Sequence, residues 1–556
     1  MAKGYRPVNR DQPFLLPPDM REWLPADHPV WLVIAVVDEH LDTSAFHARR
    51  RTGGAGAAGY DPDMLVTVLV WAYAHGVRSS RDIERLCGTD VAFRVICAGN
   101  LPDHCTVARF RADFPGAVAG LFAEVLRLCA RLGMGKLGVV ALDGMKIAAS
   151  ASKAANRTED SLAKLARDAV AAHAAADAAE DELFGAGRRG DEVPEEAWSP
   201  RRRDERIRAA LADLEAERTA AEAGQAAKAE AFRERRRTGQ RTGCSPASAA
   251  VELAEENLAR VRAARAAQLA ELEQRYAAGQ PRRGRAATAD APVVDGYCRV
   301  RQAEAKLERA KARAAAAQRT AAEQDSNRKG PGPVRNITDP GSRLMPVRGG
   351  GFIQGYNTQN MISGDKLIIA TELTDEQADC PWFEPMLERA RDAAALIEAH
   401  RPASPDPGPA GPDHGGGSPD GGIGLALADA GYCSEHNLTC PGPDRLIATG
   451  KGRDLEKAAR DPGSSGPDWG GPAIQAMRGR LKTPDGIAAY RHRGHIAETP
   501  HGHIKHNMRF RQLSVRGKRK AAAEWTFAAA VHNLFKAITT GHLTSQALDT
   551  LAGTPA

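Results

Sequence analysis

The sequence predicts a multidomain α and α/β protein, and three observations lead there. Short apolar segments punctuated by Gly and Pro fill residues 1–135. Apolar runs of strand character then alternate with helical text over 136–157 and 331–510. Between these two stretches, residues 158–330 are rich in Ala, Arg and Glu and nearly free of aromatic residues. The expected parts are a helical N-terminal domain, a domain of strands and helices, a long coiled-coil-like helical insertion after its first strand, and a helical tail over 511–556.

The chain of 556 residues has room for about two to four domains with a sizeable core. It carries 76 Lys and Arg against 70 Asp and Glu, a net charge of +6, which permits nucleic-acid binding without demanding it. The local signal is stronger: HNMRFRQLSVRGKRK, residues 506–520, has six basic residues and no acid. Nine scattered cysteines with no C-x2-C pair argue against a zinc ribbon and a disulfide framework, and fit a reducing cytosol. The longest apolar run, Trp31 to Val37, is too short to span a bilayer, so a soluble, cytoplasmic protein without membrane contact is expected.

In the N-terminal part, DMREWL predicts a short helix, and His28-Pro29 opens an apolar helix to about Leu41. Asp61-Pro62 begins a helix that ends at Gly76. Ser79 and Ser80 are cap candidates for the next helix, Asp90 opens another, and Thr106 is expected to cap TVARFRADF. Short helices joined by such turns are compatible with a helix-turn-helix DNA reader in which Arg109 and Arg111 reach phosphate or a base edge. A helical bundle with solvated arginines is the plainer alternative.

In the insertion, Leu258, Val261, Leu269, Leu272 and Tyr276 share one helical face. Similar text over 160–183, 204–236 and 298–324 predicts two or three long antiparallel helices, with partial disorder as the alternative. The clusters Arg201–Arg203, Arg235–Arg237 and Arg282–Arg285 either track phosphates or, with their acidic neighbours, form a solvated face.

Residues 137–149, LGVVALDGMKIAA, predict a strand with Asp143 near its centre. GGFIQGYNTQNMI and DKLIIATELT predict a hairpin turned at Ser363-Gly364-Asp365. A helix over 382–400 and a loop over 401–422 follow. GIGLALADAG predicts a strand delivering Asp429 at its C-terminal end, Ser434 starts a short helix, and DRLIATG is a further strand. After a linker at 461–472, helical text to about 505 carries Glu498, interrupted by Gly494 and Pro500.

Two acids thus follow apolar strand runs, and the third sits in the frame Tyr490-x2-Arg493-x4-Glu498-x6-Lys505. Carboxylates far apart in sequence and presented this way suggest a two-metal site for phosphoryl transfer, where two Mg²⁺ ions about 4 Å apart clamp the attacking and leaving oxygens. Glu435 and Glu524 are rival third acids that lack the Tyr-Arg-Lys frame. Asn357 and Gln359 are expected beside Asp143, either orienting a carboxylate or making ladder bonds. Asp379 reads as a helix cap. Trp525 reads as a core residue rather than a platform for an unpaired base. His492, His495, His501 and His503 raise a transition-metal site against the plainer reading of surface histidines.

These motifs resemble the DDE transposases of bacterial insertion sequences, in the subgroup with a Tyr-Arg-Glu-Lys signature, with insertion-sequence family 1182 nearest among them. The resemblance covers most of the chain outside 160–330: YRPVNRDQPFLLPPDMREWLP, PDHCTVARFR, LDGMKI, TDPGSRLM, GFIQGYNTQ, LADAGY and the Glu498 segment. LADAGY together with the Tyr-Arg-Glu-Lys string is its specific part. Many relatives read EPVFG at the glutamate, whereas this chain reads Glu498-Thr499-Pro500-His501-Gly502.

The resemblance implies a ribonuclease-H-like catalytic domain, a mixed sheet with helices, into which 158–330 is inserted after the first strand. It implies that Asp143 bridges two Mg²⁺ ions, with Mn²⁺ able to substitute, while Asp429 and Glu498 each complete one. Tyr490, Arg493 and Lys505 would hold the transferred DNA end. The implied partners are double-stranded DNA, as terminal inverted repeats and target, and a second copy in a homodimer on paired ends. Arg509, Arg511, Arg516 and Lys518 would add salt-dependent phosphate contacts. A domesticated metal-dependent nuclease of the same fold and a non-enzymatic DNA-binding or coiled-coil assembly protein are the alternatives.

Overall fold

The computed structural model describes residues 19–48, 59–168, 200–238, 247–279, 294–327, 334–347, 350–402, 422–450 and 470–552. Arg282–Arg285, most of the 401–422 loop, most of the 461–472 linker and YRPVNRDQPFLLPP near the start lie outside them. The chain forms two compact units, one of Met1–Ala155 with Thr338–Ala556 and one of Asn156–Ile337.

The first unit opens with a single 3-10 turn, Met20–Glu22, where DMREWL predicted a helix. Seven helices follow: α1 (Pro29–Ala35), α2 (Ser44–His47), α3 (Pro62–Ala74), α4 (Ser80–Thr89), α5 (Val91–Cys97), α6 (His104–Asp113) and α7 (Pro115–Arg131). Side chains of Asp61, Ser79 and Asp90 cap α3, α4 and α5 as their sequence positions suggest. The cap of α6 is Asp103 and not Thr106. Its carboxylate accepts from the Thr106 N–H at 2.9 Å and the Thr106 hydroxyl at 2.7 Å. A carboxylate also answers the positive end of the helix dipole, which a hydroxyl cannot do. Strand β1 (Val139–Ala148) follows.

Among its described residues, the second unit begins with β2 (Asn156–Thr158), is helical over 159–168, and holds three long helices, α8 (Pro200–Arg237), α9 (Ala247–Ala277) and α10 (Cys298–Asn327). β3 (Val334–Asn336) ends it and pairs antiparallel with β2, so the chain leaves and returns through one short ladder. α9 and α10 pack through Ala254, Leu258, Val300, Ala303 and Leu307, with Val261 against them. Arg262 pairs with Glu304 at 2.6 Å across this contact.

The first unit resumes with β4 (Arg343–Pro346), β5 (Phe352–Ser363), β6 (Ile368–Thr374), α11 (Phe383–His400), β7 (Leu425–Ala428), α12 (Glu435–Thr439), β8 (Asp444–Ile447), α13 (Pro472–Leu481), α14 (Pro484–Gly502), α15 (Lys518–Thr539) and α16 (Ser545–Ala552). The sheet runs β4-β5-β1-β7-β8, with β6 also paired to β5. β5 lies antiparallel to β1, whereas β1, β7 and β8 are parallel. The sheet is therefore mixed.

The helical text after 472 divides at Thr483, whose hydroxyl accepts from the Gly486 N–H at 3.0 Å and starts α14. α14 runs through Gly494 and takes Pro500 inside its last turns. Pro500 has no N–H for the carbonyl four residues back, and the backbone loosens just beyond it into a π turn, His503–Asn507.

One hydrophobic core joins the N-terminal helices, the sheet and α15. The helices near the C-terminal end pack into it: Trp525, Ala528 and Ala537 of α15 are completely buried. Among the described residues no helix is long and apolar enough to cross a membrane.

Candidate active site

The parallel register of β1 and β7 sets Leu142 opposite Ala428, so the next residues, Asp143 and Asp429, lie side by side where β7 ends. Asp429 leaves the strand and caps a 3-10 turn, accepting from the Gly431 N–H at 2.8 Å. Arg493 of α14 reaches both acids, at 2.7 Å from Asp143 and 3.6 Å from Asp429. The side chains of Arg493, Asp143 and Asp429 are 12%, 14% and 29% exposed, so the charges interact in a partly dehydrated setting. Burial pushes the Asp429 carboxyl above its ordinary range; Arg493 opposes that push, and Asp143 and Asp379 add to it. Burial works against the Arg493 cation, but Asp143, Tyr490 and Asp429 outweigh it and hold the charge.

Asp379 is the acid the sequence reading missed. It precedes the 3-10 turn Cys380–Trp382 but makes no side-chain cap bond. Two buried amides on β5 claim its carboxylate instead: Asn357 donates at 2.7 Å and Gln359 at 2.8 Å. Gln359 in turn accepts from the Tyr432 hydroxyl. So Asn357 and Gln359 do orient a carboxylate, that of Asp379.

Two glycines make room for it. A Cβ on Gly144 would stand 2.6 Å from Asp379 Oδ1. A Cβ on Gly431 would stand 3.0 Å from Asp429 Oδ1 and 3.2 Å from Asp379 Oδ2. The glycines in LDGMKI and LADAGY were the available signal for a third carboxylate between the two strands.

α14 presents a buried stripe of Ile496, Ala497, Pro500 and His501. Glu498 is exposed on the flank of that stripe, about 140° around the helix from Arg493, and among the described residues no hydrogen bond joins it to Asp143 or Asp429. The Tyr490 hydroxyl donates to the Ala428 carbonyl at 3.2 Å, anchoring the end of β7, and burial pushes its pKa up to about 12. Lys505 is half-buried in the π turn. The rival acids are occupied elsewhere. Glu435 accepts from the N–H groups of Ala473 and Ile474 at the start of α13. Glu524 is buried and binds Tyr73 and Ser514.

The basic residues divide. Arg109, Arg509 and Arg511 are exposed. Arg111 is half-buried and donates to the Arg78 carbonyl at 2.7 Å and to Ser80 at 3.2 Å. Arg516 is exposed but donates to the Ser150 carbonyl at 3.0 Å, and Lys518 pairs with Asp375 at 2.6 Å. In the second unit, Arg236 pairs with Glu256 at 3.0 Å and Arg237 with Glu234, in line with a solvated face.

Asp143 and Asp429 present carboxylate oxygens, the donor type that suits a hard divalent cation, and Asp379 adds a further carboxylate beside Asp429. Among the described residues, the group of three possible ligands whose donor atoms all lie within 4.8 Å of one another is His47, Asp61 and Asp63. There Asp61 caps α3 and Asp63 pairs with His47 at 3.0 Å, which accounts for the grouping. Of the clustered histidines, His492 and His495 are exposed, His503 faces His532, and His501 turns inward to Asp143.

A mixed sheet that gathers carboxylates around one guanidinium defines a class of site, and comparison with known families narrows it. The Transposase domain (DUF772) family model matches residues 18–113, and the Transposase DDE domain model matches residues 470–538. The second match spans Arg493, Glu498 and Lys505. No curated protein and no solved structure matches the chain. The two family matches support a DDE-type transposase, a protein of transposition and mobile elements.

Proposed function

We propose that the protein is an insertion-sequence transposase that binds the terminal inverted repeats of its element as double-stranded DNA and catalyses metal-dependent cleavage and strand transfer. The observation that carries this reading is the register that sets Asp143 beside Asp429, with Arg493 of α14 on both. The strand order β6-β5-β1-β7-β8, with β5 antiparallel and β7 and β8 parallel to β1, supports a ribonuclease-H-like catalytic domain of the Tyr-Arg-Glu-Lys subgroup.

Asp143, Asp429 and Glu498 are the residues that would hold two Mg²⁺ ions, with Mn²⁺ as a substitute. When bound, such ions lower the pKa of the attacking oxygen and neutralise charge developing at phosphorus. Asp379, fixed by two amides, keeps a further negative charge beside Asp429. Tyr490 fixes the strand end from which Asp429 emerges. Arg493 holds the two aspartates together and is placed to meet a phosphate at the same spot. Lys505, Arg109, Arg509 and Arg511 would follow the DNA backbone. Arg111, Arg511, Arg516 and Lys518 hold protein partners and would contact DNA by sharing them. The protein would act in the cytoplasm as a homodimer on paired ends.

The test is excision in cells from a donor plasmid carrying the DNA that flanks the gene, with the protein supplied in trans. Wild type is expected to excise, and Asp429→Ala and Glu498→Ala are expected to lose at least about 10³-fold. Excision by Asp429→Ala at the wild-type rate would remove that acid from the chemistry.

A further inference from the structure

His501 holds a place that neither the family matches nor the acid triad explains. Its side chain is 9% exposed, and Nδ1 lies 3.2 Å from Asp143 Oδ2. Its Nε2 lies 3.0 Å from Nδ2 of Asn360, which is completely buried.

The surrounding bonds decide which ring nitrogen carries the proton. Asn360 Oδ1 accepts from the Trp525 indole N–H at 3.1 Å and from the Thr371 hydroxyl at 2.7 Å. The indole N–H also donates to the Thr371 hydroxyl at 2.7 Å, and that hydroxyl donates on to Asn360, so both neighbours place the amide oxygen rather than its NH2 group on this side. The Nδ2 group then turns toward Thr358 and His501, and it can only donate. His501 Nε2 is therefore the acceptor. The ring proton sits on Nδ1, directed at Asp143.

We propose that His501 is a positioning residue for Asp143, held as the Nδ1–H tautomer by a chain of hydrogen bonds running from Trp525 through Asn360. Arg493 grips Oδ1 of Asp143 and His501 grips Oδ2, and both come from α14, eight residues apart. Together they fix the plane of the carboxylate. Outer-shell donors of this kind orient a ligand and typically change metal affinity about 10–100-fold when removed. The proposal rests on the reading of Asp143 as a metal-holding carboxylate.

The experiment titrates Mn²⁺ into the full-length protein without DNA, for wild type, Asp143→Asn, His501→Phe, His501→Asn and His501→Gln. An Asn amide nitrogen is attached at Cγ, where Nδ1 is, whereas that of Gln lies one bond further out. The expected result is Mn²⁺ affinity lowered about 10-fold or more by His501→Phe and His501→Gln and restored to within about 3-fold of wild type by His501→Asn. Wild-type protein labelled with ¹⁵N-histidine should show the His501 proton on Nδ1. Loss of affinity in Asp143→Asn with none in His501→Phe or His501→Gln overturns the positioning role alone. Unchanged affinity in Asp143→Asn overturns the metal reading and the proposal with it. A proton on Nε2 overturns the proposal whatever the affinities.

Discussion

At the scale of single residues, His532 and Gly144 lead to separate predictions. His532 is buried in α15, with Nε2 3.2 Å from the Lys366 carbonyl and Nδ1 3.0 Å from Nδ1 of His503. A carbonyl only accepts, so Nε2 carries the proton and Nδ1 accepts from His503. Burial pushes the His532 pKa down to about 3. The unfolded chain gains this proton as pH falls through about 6.5, and the folded chain does not until about 3. Stability should therefore fall across that window, by up to about 1.4 kcal/mol per pH unit from this group. Urea midpoints between pH 7 and pH 4.5 should shift less in His532→Gln than in wild type. Gly144→Ala tests the second carboxylate pocket. Its methyl would displace Asp379, a side chain rather than backbone, so the fold should survive while excision drops about 10²-fold. Unchanged excision would show that the position of Asp379 is immaterial.

At the scale of elements, most of what positions the site was legible. The runs around Asp143 and Asp429, the hairpin turned near Gly364, and Ser434 as a helix start are local patterns, and the structure has them. What no strand encodes alone is the register that puts Leu142 beside Ala428. The same limit hid Asp379: its turn next to Pro381 looks like a helix start, and the amides that claim it lie about twenty residues away on β5. His501 was hidden among exposed histidines, although the helical phase of Arg493, Ala497 and His501 already aligned it with the buried stripe. Thr106 lost the capping role to Asp103 because capping is a competition between neighbours, and a carboxylate wins it. Glu435 lends itself to an element-scale test. It caps α13 from outside that helix, so Glu435→Ala should cost about 1 kcal/mol in thermal or urea unfolding. Excision should be unchanged, and a loss comparable to that of Asp429→Ala would return Glu435 to candidacy as the third acid.

At the scale of the whole molecule, the N-terminal helices and α15 are tied by a polar junction as well as by the shared core. Glu524 of α15 accepts from the Tyr73 hydroxyl of α3 at 2.7 Å and from the Ser514 N–H at 2.7 Å, and also binds the Ser514 hydroxyl. Removing it orphans the buried Tyr73 hydroxyl, at about 1–3 kcal/mol. Glu524→Ala should lower stability by about 2 kcal/mol in denaturant unfolding. A loss below about 1 kcal/mol would mean that water replaces the carboxylate freely.

The β2–β3 ladder bears on how such a chain finds its fold. β1 and β5 pair across about 200 residues of sequence, from Ala148 to Gly355. Once Asn156 and Asn336 are paired, the effective separation shrinks to about 30 residues. At about 0.6 kcal/mol per doubling, that removes about 1.7 kcal/mol of closure entropy from the central step of sheet assembly. The inserted helices, made of local contacts, can form early and bring the two halves of the sheet within reach of each other. A segment that separates β1 from β5 in the gene therefore works as a shortcut between them in time.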